Sequence, residues 1–393
     1  MNYLSGQNLS LVSSVPGTTT DPVQKNAEIP PLGPVVLIDS AGLDDEGELG
    51  SLRVQKSLEN MPAMHLALLV SDGQWGSFEE WLLNKLKELH IPCLVVWSKS
   101  DSTAPSFESE AILLKNNIPS VRVSSTAQTG LRELVAAIVS LMPEQALVPP
   151  SLLDGVLSGR DLTGSMILFV MPIDASAPKG RLIAPQVLAL RNALDTHALS
   201  LVVQVEELPG ALQSLRTPPS LVVCDTQVVH RCAEYLPPDV PLTTFSILMA
   251  RLKGDLPTLA SGAAAMHSLR KGDRVCIAEV CTHHSQPDDI GRVQIPALLR
   301  KFTGVELDIV FSAGVDYPED IDTFKLIIHC GGCMINRPLM LSRMAKAGLA
   351  GVPITNYGVA ISLMRGVLES ALGIFPEALQ AYTVARNTLK CPS

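Results

Sequence analysis

Three features of this 393-residue sequence predict an α/β fold of three domains, each a mostly parallel sheet with flanking helices. Short apolar runs alternate with stretches of helical periodicity along the whole chain, the pattern of strands joined by crossover helices. The hydrophobic fraction is 47% but aromatics make up only 4%, so Ala, Leu and Val fill the layers. The length suits two or three domains. A proline-marked stretch from Met142 to Pro150 and a small-residue stretch from Gly254 to Ala265 supply the seams, giving domains at 1–142, 151–262 and 263–393.

In the first domain Val35–Asp39, His65–Val70, Cys93–Trp97 and Ser120–Val123 read as strands, with helices near 47–60, 77–89, 106–115 and 130–141. The second offers Met166–Val170, Leu199–Val205, Leu221–Cys224 and Leu242–Ser246 as strands, and a helix at Ala184–Leu194. In the third, strands are expected at 273–280, Val305–Phe311 and Phe324–His329. Helices follow at Arg292–Phe302, closed near Gly304, and around 338–350 and 358–372.

The formal charge of −9, with no basic stripe, argues against a nucleic-acid surface. Residues 347–364 lack charge but contain Pro353, Asn356 and Gly358, so no segment reads as a membrane span. The N-terminus has no signal-peptide pattern, and the protein is expected to be cytoplasmic.

Chemistry concentrates in two stretches of the third domain, Cys281-Thr282-His283-His284 and His329-Cys330-Gly331-Gly332-Cys333. Each follows an expected strand, and neighbouring parallel strands would bring both to one carboxyl edge, where such sheets bind ligands. The two glycines let the C-x-x-C backbone fold tightly around one centre. Asn336 and Pro338 suit a helix start just beyond. Zinc and an iron–sulfur cluster both satisfy this donor set; a disulfide fits less well with cysteines otherwise scattered. Cys224, Cys232, His197 and His230 read as buried thiols and half-exposed histidines, and Cys276 as core. Lys179-Gly180-Arg181 reads as a solvated turn and Cys391 as a bystander in a C-terminal tail.

Four loops of the first domain carry nucleotide-site patterns. Asp39-Ser40-Ala41-Gly42 is a D-x-x-G after a strand, and Gly17 to Pro22, with Thr18 and Thr19, resembles a switch segment that reaches magnesium and phosphate. Ser98-Lys99-Ser100-Asp101 resembles the guanine-reading N-K-x-D with Ser in place of Asn, and Ser124-Ser125-Thr126 a last guanine loop. No G-x-x-x-x-G-K-[ST] occurs in the sequence, so GTP binding and hydrolysis by the chain as written are expected to fail.

The C-x-H and H-C-x-x-C pair together with these loops resembles the [FeFe]-hydrogenase maturation GTPase family, HydF. The resemblance implies a TrmE/Era-like GTPase domain, a dimerisation domain whose sheets join across a two-fold axis, and a cluster-binding domain. By that likeness Cys281, Cys330 and Cys333 would hold a 4Fe-4S cluster, with His283 or His329 as a possible fourth ligand. Thr18, Thr19, Asp39, Gly42, Ser98, Lys99, Asp101 and Ser124 would face GTP and magnesium. The family pattern places a first strand and phosphate loop before Met1, so the chain is expected to begin inside the domain and to use GTP and magnesium only with that segment present. The implied role is a scaffold and carrier that receives a diiron precursor from two radical-SAM maturases and delivers it to the hydrogenase apoprotein, acting as a homodimer. A structural zinc protein and a plain GTPase switch are the alternatives.

Overall fold

The structure, a computed structural model, describes residues 1–6, 23–39, 58, 61–147, 151–157, 161–174, 177, 179–280, 289–314, 318, 320–332 and 335–390. It is α/β throughout and divides into two compact units, Met1–Pro149 and Pro150–Ser393.

The first unit holds two sheets. β1 (Val23–Ile29) and β2 (Gly33–Asp39) form an antiparallel hairpin with Ile29 opposite Gly33. The expected strand at Val35–Asp39 therefore exists, but in an antiparallel pair rather than a parallel sheet. Its partner β1 escaped the sequence reading because Lys25 interrupts the apolar alternation. Gly33, at φ 77°, supplies the left-handed residue that closes the turn.

β3 (Ala67–Ser71), β4 (Cys93–Trp97) and β5 (Ser120–Arg122) form a parallel sheet in that order. The helices Ser77–Glu88, Phe107–Lys115 and Leu131–Leu141 lie close to their expected positions. Alternation along β4 directs Val95 and Trp97 to Leu82, Leu86 and Leu113 on one face. Leu94 and Val96 meet Leu134 and Ile138 on the other. The helix expected at 47–60 lies almost wholly outside the described residues.

The second unit contains two four-stranded parallel sheets of the same topology. β6 (Met166–Val170), β7 (Leu199–Val203), β8 (Leu221–Cys224) and β9 (Leu242–Thr244) are ordered β7-β6-β8-β9. β10 (Arg274–Glu279), β11 (Asp308–Ala313), β12 (Leu326–His329) and β13 (Ile354–Asn356) are ordered β11-β10-β12-β13. The registers also agree. Ile167 faces Leu221 as Val275 faces Leu326, and Val222 faces Leu242 as Ile327 faces Ile354. Val-Pro-Leu-Thr at 240–243 and Val-Pro-Ile-Thr at 352–355 occupy equivalent places. The unit is a structural repeat, and the equivalence sets Cys224 against His329 and Asp225 against Cys330.

Each last strand runs directly into a helix. Thr244 Oγ1 accepts from the Ile247 N–H (3.1 Å) and Asn356 Oδ1 from the Val359 N–H (2.9 Å), capping Phe245–Lys253 and Tyr357–Met364. The first cap ends β9 at Thr244, short of the expected Ser246. The two helices approach so closely that a Cβ on Gly358 would lie 2.3 Å from the Ser246 Cβ. Arg337 Nη1 donates to the carbonyls of Arg251, Leu252 and Gly254 (3.3, 2.9 and 2.8 Å), filling orphan acceptors at the end of the first helix. One core spans both sheets, with Ile167, Phe169 and Val223 in the first and Val275, Ile277 and Ile328 in the second.

Other differences are local. β11 spans Asp308–Ala313 rather than Val305–Phe311. The helical stretch expected at 358–372 breaks at Gly366, φ 77°, into Tyr357–Met364 and Leu368–Leu372. The expected C-terminal tail is a helix, Pro376–Lys390, whose Ala378 and Tyr382 are buried; Cys391 lies outside the described residues. Among the described residues no helix is long and apolar enough to cross a membrane.

Candidate functional site

β10 and β12 are direct parallel neighbours, Ala278 facing His329. The chain leaves β12 through Cys330, whose N–H donates to the Ala278 carbonyl (2.8 Å). The Val280 N–H reaches the Cys330 sulfur at 3.4 Å, and Val280 immediately precedes Cys281 in the chain. Gly332, at φ 62°, adopts a left-handed conformation just before Cys333. Asn336 then caps the helix Arg337–Leu349, its Oδ1 accepting from the Leu339 N–H (3.2 Å). Of the expected metal ligands, Cys330 and His329 are described at this edge; Cys281, Cys333 and His283 lie outside the described residues, as does His284. Among the described residues no group of three or more His, Cys, Asp or Glu is disposed to hold a metal ion.

His329 is fully buried at 0% exposure. Its Nε2 lies 2.9 Å from Arg343 Nη1 and its Nδ1 2.7 Å from the Cys330 carbonyl oxygen. Burial, followed by the Arg343 charge, pushes the imidazole pKa down to about 4 against the pull of the Cys330 carbonyl. Arg343, only 3% exposed, also donates from Nη2 to the Gly314 carbonyl beyond β11 (2.9 Å). Beside them Glu279, 5% exposed, accepts from the Tyr357 hydroxyl and from Arg292 Nε, both at 3.3 Å. Burial and that carboxylate raise the Tyr357 pKa far above the phenol range. A Cβ on Gly291 would lie 2.2 Å from Glu279 Oε1, so any larger residue there would have to displace this pair.

Glu279, Tyr357 and Arg343 escaped the sequence reading. Glu279 left one signal, a carboxylate in an otherwise apolar run. Arg343 left none, because it reads like any arginine on a helix.

The equivalent edge of the first sheet carries no thiol loop. There the Asp225 N–H donates to the Val170 carbonyl (3.2 Å), matching the Cys330 bond, and Asp225 Oδ2 accepts from buried Gln186 Nε2 (2.7 Å). Burial raises the Asp225 carboxyl pKa to about 7, the Gln186 hydrogen bond opposing and the Asp174 charge adding to it. Cys224 and Cys232 are buried, as expected, and are neighbours; burial and the adjacent sulfur hold the Cys224 thiol well above its usual range. Cys276 is buried in the core, its thiol pushed up to about 12.

In the first unit the loop after β4 meets the loop after β5. Asp101 Oδ1 accepts from the Ser124 hydroxyl (2.6 Å), and Ser124 Oγ accepts from the Ala127 N–H (2.9 Å). The Ser98 hydroxyl donates to the Ser71 carbonyl (3.0 Å), so the shortened side chain still ties its loop to β3. Lys99, at φ 53°, is exposed, as is Asp101. Asp39 ends β2, whereas Thr18, Thr19 and Gly42 lie outside the described residues.

A small parallel sheet with two loops meeting at its carboxyl edge, followed in the chain by a duplicated sheet module with a thiol at one strand end, defines a GTPase-like chain with a two-sheet α/β module attached. Three family models match the chain. The 50S ribosome-binding GTPase model matches residues 1–99, the hydrogen maturase F dimerization domain 156–254, and the hydrogen maturase F tetramerization domain 257–374. The chain belongs to the hydrogen maturase F family.

Curated relatives are GTPases. The tRNA modification GTPase MnmE of Clostridioides difficile is 28% identical over 145 residues, 36% of this chain and 31% of that protein. MnmE of Prochlorococcus marinus (strain NATL2A) is 34% identical over 142 residues, 34% and 30% of the two chains. GTPase Era of Halothermothrix orenii is 25% identical over 150 residues, 37% and 51%. The chain thus spans about a third of the MnmE relatives and half of Era. A solved structure of Era with MgGDPNP and a 16S ribosomal RNA fragment aligns at 18% identity over 52% of this chain and 86% of that one, with a TM-score of 0.33.

Proposed function

We propose that this chain is a hydrogenase-maturation scaffold that binds a 4Fe-4S cluster through Cys281, Cys330 and Cys333 and carries a diiron precursor to the hydrogenase apoprotein. The observation that supports this most directly is the pairing of β10 with β12, which sets the residue before Cys281 within 3.4 Å of the Cys330 sulfur. The donor set suits the group: thiolates are the ordinary ligands of such clusters, and backbone N–H donation to sulfur lowers the cost of their charge. Bound there, the cluster would supply an iron open to exchangeable ligands. The protein would supply the Cys330 thiolate, the Val280 N–H that stabilises it, and the turn at Gly332.

The GTPase unit serves, on this reading, to gate encounters with two radical-SAM maturases and with the apoprotein. With a phosphate-binding segment present, Lys99, Asp101 and Ser124 would read guanine and Asp39 would face magnesium. The dimerization and tetramerization domains make the working form an oligomer.

Anaerobic purification tests the reading. The wild-type chain is expected to be brown, with iron and sulfide in equal amounts; Cys330→Ser loses most of both, and Cys276→Ser retains them. A colourless wild-type protein with zinc at full occupancy overturns the proposal in favour of a structural zinc site.

A further inference from the structure

We propose that Arg343 and His329 form a fixed donor chain that positions the Cys330 peptide, and that His329 is a positioning residue for the thiol loop rather than a metal ligand. The part concerning the metal rests on the cluster reading above; the donor chain does not.

The direction of the chain follows from donor chemistry. A guanidinium has only donors, so its 2.9 Å contact with His329 Nε2 requires that nitrogen to offer its lone pair. A neutral imidazole then carries its proton on Nδ1, which donates to the Cys330 carbonyl at 2.7 Å. Both ring nitrogens are therefore engaged inside a fully buried side chain. To bind iron, the ring would have to abandon one of these hydrogen bonds and turn, leaving a buried polar group unsatisfied.

The second arm of Arg343 shows what the chain holds in place. Its Nη2 donates to the Gly314 carbonyl just beyond β11, while Nη1 meets His329 at the end of β12. β11 and β12 flank β10, the strand that leads to Cys281. Arg343 itself lies on the helix Arg337–Leu349, which follows the Cys330–Cys333 loop. One buried guanidinium thus connects the helix after the loop to the strand ends on both sides of β10. It fixes the Cys330 carbonyl through His329 and sets a positive charge two side chains from the thiolate.

The test has an iron-free arm and a loaded arm, both on the full chain. In the metal-free protein labelled with 15N-histidine, one resonance, identified by its loss in His329→Asn, is expected to be the neutral Nδ1–H tautomer, and Arg343→Met is expected to shift its Nε2 signal as that nitrogen loses its donor while the Cys330 carbonyl keeps the proton on Nδ1. An Nε2–H tautomer, or an unchanged resonance in Arg343→Met, overturns the donor chain.

After anaerobic reconstitution with iron and sulfide, His329→Asn is expected to keep the wild-type iron content and the wild-type EPR response to added imidazole at the open iron. Arg343→Met is expected to lose at least threefold in bound iron and to shift the midpoint potential negative, with Arg343→Lys recovering part of both. Loss in His329→Asn of a protein imidazole coupling present in wild type overturns the positioning role, as does a wild-type potential in Arg343→Met. If Arg343→Met fails to fold, as judged by circular dichroism, Arg343→Lys carries the comparison. A wild-type chain with the expected tautomer but no iron refutes the cluster reading and upholds the donor chain.

Discussion

Asp225→Asn should change how the stability of the second unit depends on pH. The carboxyl is raised from an ordinary value of 3.8 to about 7, mainly by burial. Its neutral form is thus favoured in the fold, and between those values the folded state holds a proton that the unfolded state has lost. The contribution is complete below the unfolded pKa and is lost as pH rises toward the folded one. Three units at ~1.36 kcal/mol each give about 4 kcal/mol across the full window, of which roughly 3 kcal/mol falls between pH 5 and pH 8. An asparagine keeps an oxygen for Gln186 Nε2 and cannot ionise. Urea denaturation followed by far-ultraviolet circular dichroism at pH 5, 6, 7 and 8 should therefore show the variant gaining on wild type by roughly 3 kcal/mol. A gap that stays constant over that range, or one that narrows as pH rises, refutes the reasoning.

Gly262→Ala should destabilise by about 3 kcal/mol or more, read as a fall in the urea midpoint, because its Cβ would stand 2.0 Å from the Ile354 carbonyl oxygen and the obstacle is backbone. Arg337→Ala should cost about 2 kcal/mol by uncovering the carbonyls of Leu252 and Gly254, with faster amide exchange in the last turn of Phe245–Lys253 as the second readout. In the metal assay, Cys330→Ser should lower bound iron severalfold while Cys276→Ser leaves it unchanged, since Cys276 is buried in the β10 core.

Much of this architecture was legible because it follows from short-range pattern. The runs around Cys93–Trp97, Met166–Val170 and Leu326–His329 are apolar and bounded by turn residues, so the strands could be read directly. That β10 and β12 are direct neighbours was a condition of the sequence argument, and it is met in the structure. β13 was harder, being three residues long between a turn and a cap. β1 was harder still, because it leans on one neighbour and keeps polar residues on its open face. The repeat hides for a different reason. Strand order and register are conserved by backbone hydrogen bonds that tolerate almost any apolar side chain, so only the Val-Pro-Leu-Thr and Val-Pro-Ile-Thr segments betray it. Arg343 was invisible because its burial depends on where a helix falls across three strand ends, which no local spacing encodes.

The duplicated sheet gives the molecule two rims of one design with different furnishings. At one rim a carboxylic acid is tethered to an amide; at the other a thiol opens into a glycine hinge. Residues just past the last ladder bond can be exchanged without touching the layers beneath, so new chemistry can be installed at one copy while its sibling maintains the framework. A chimera carrying residues 329–333 in place of 224–228 would ask whether the proposed iron binding belongs to the rim itself or to the helix that backs it.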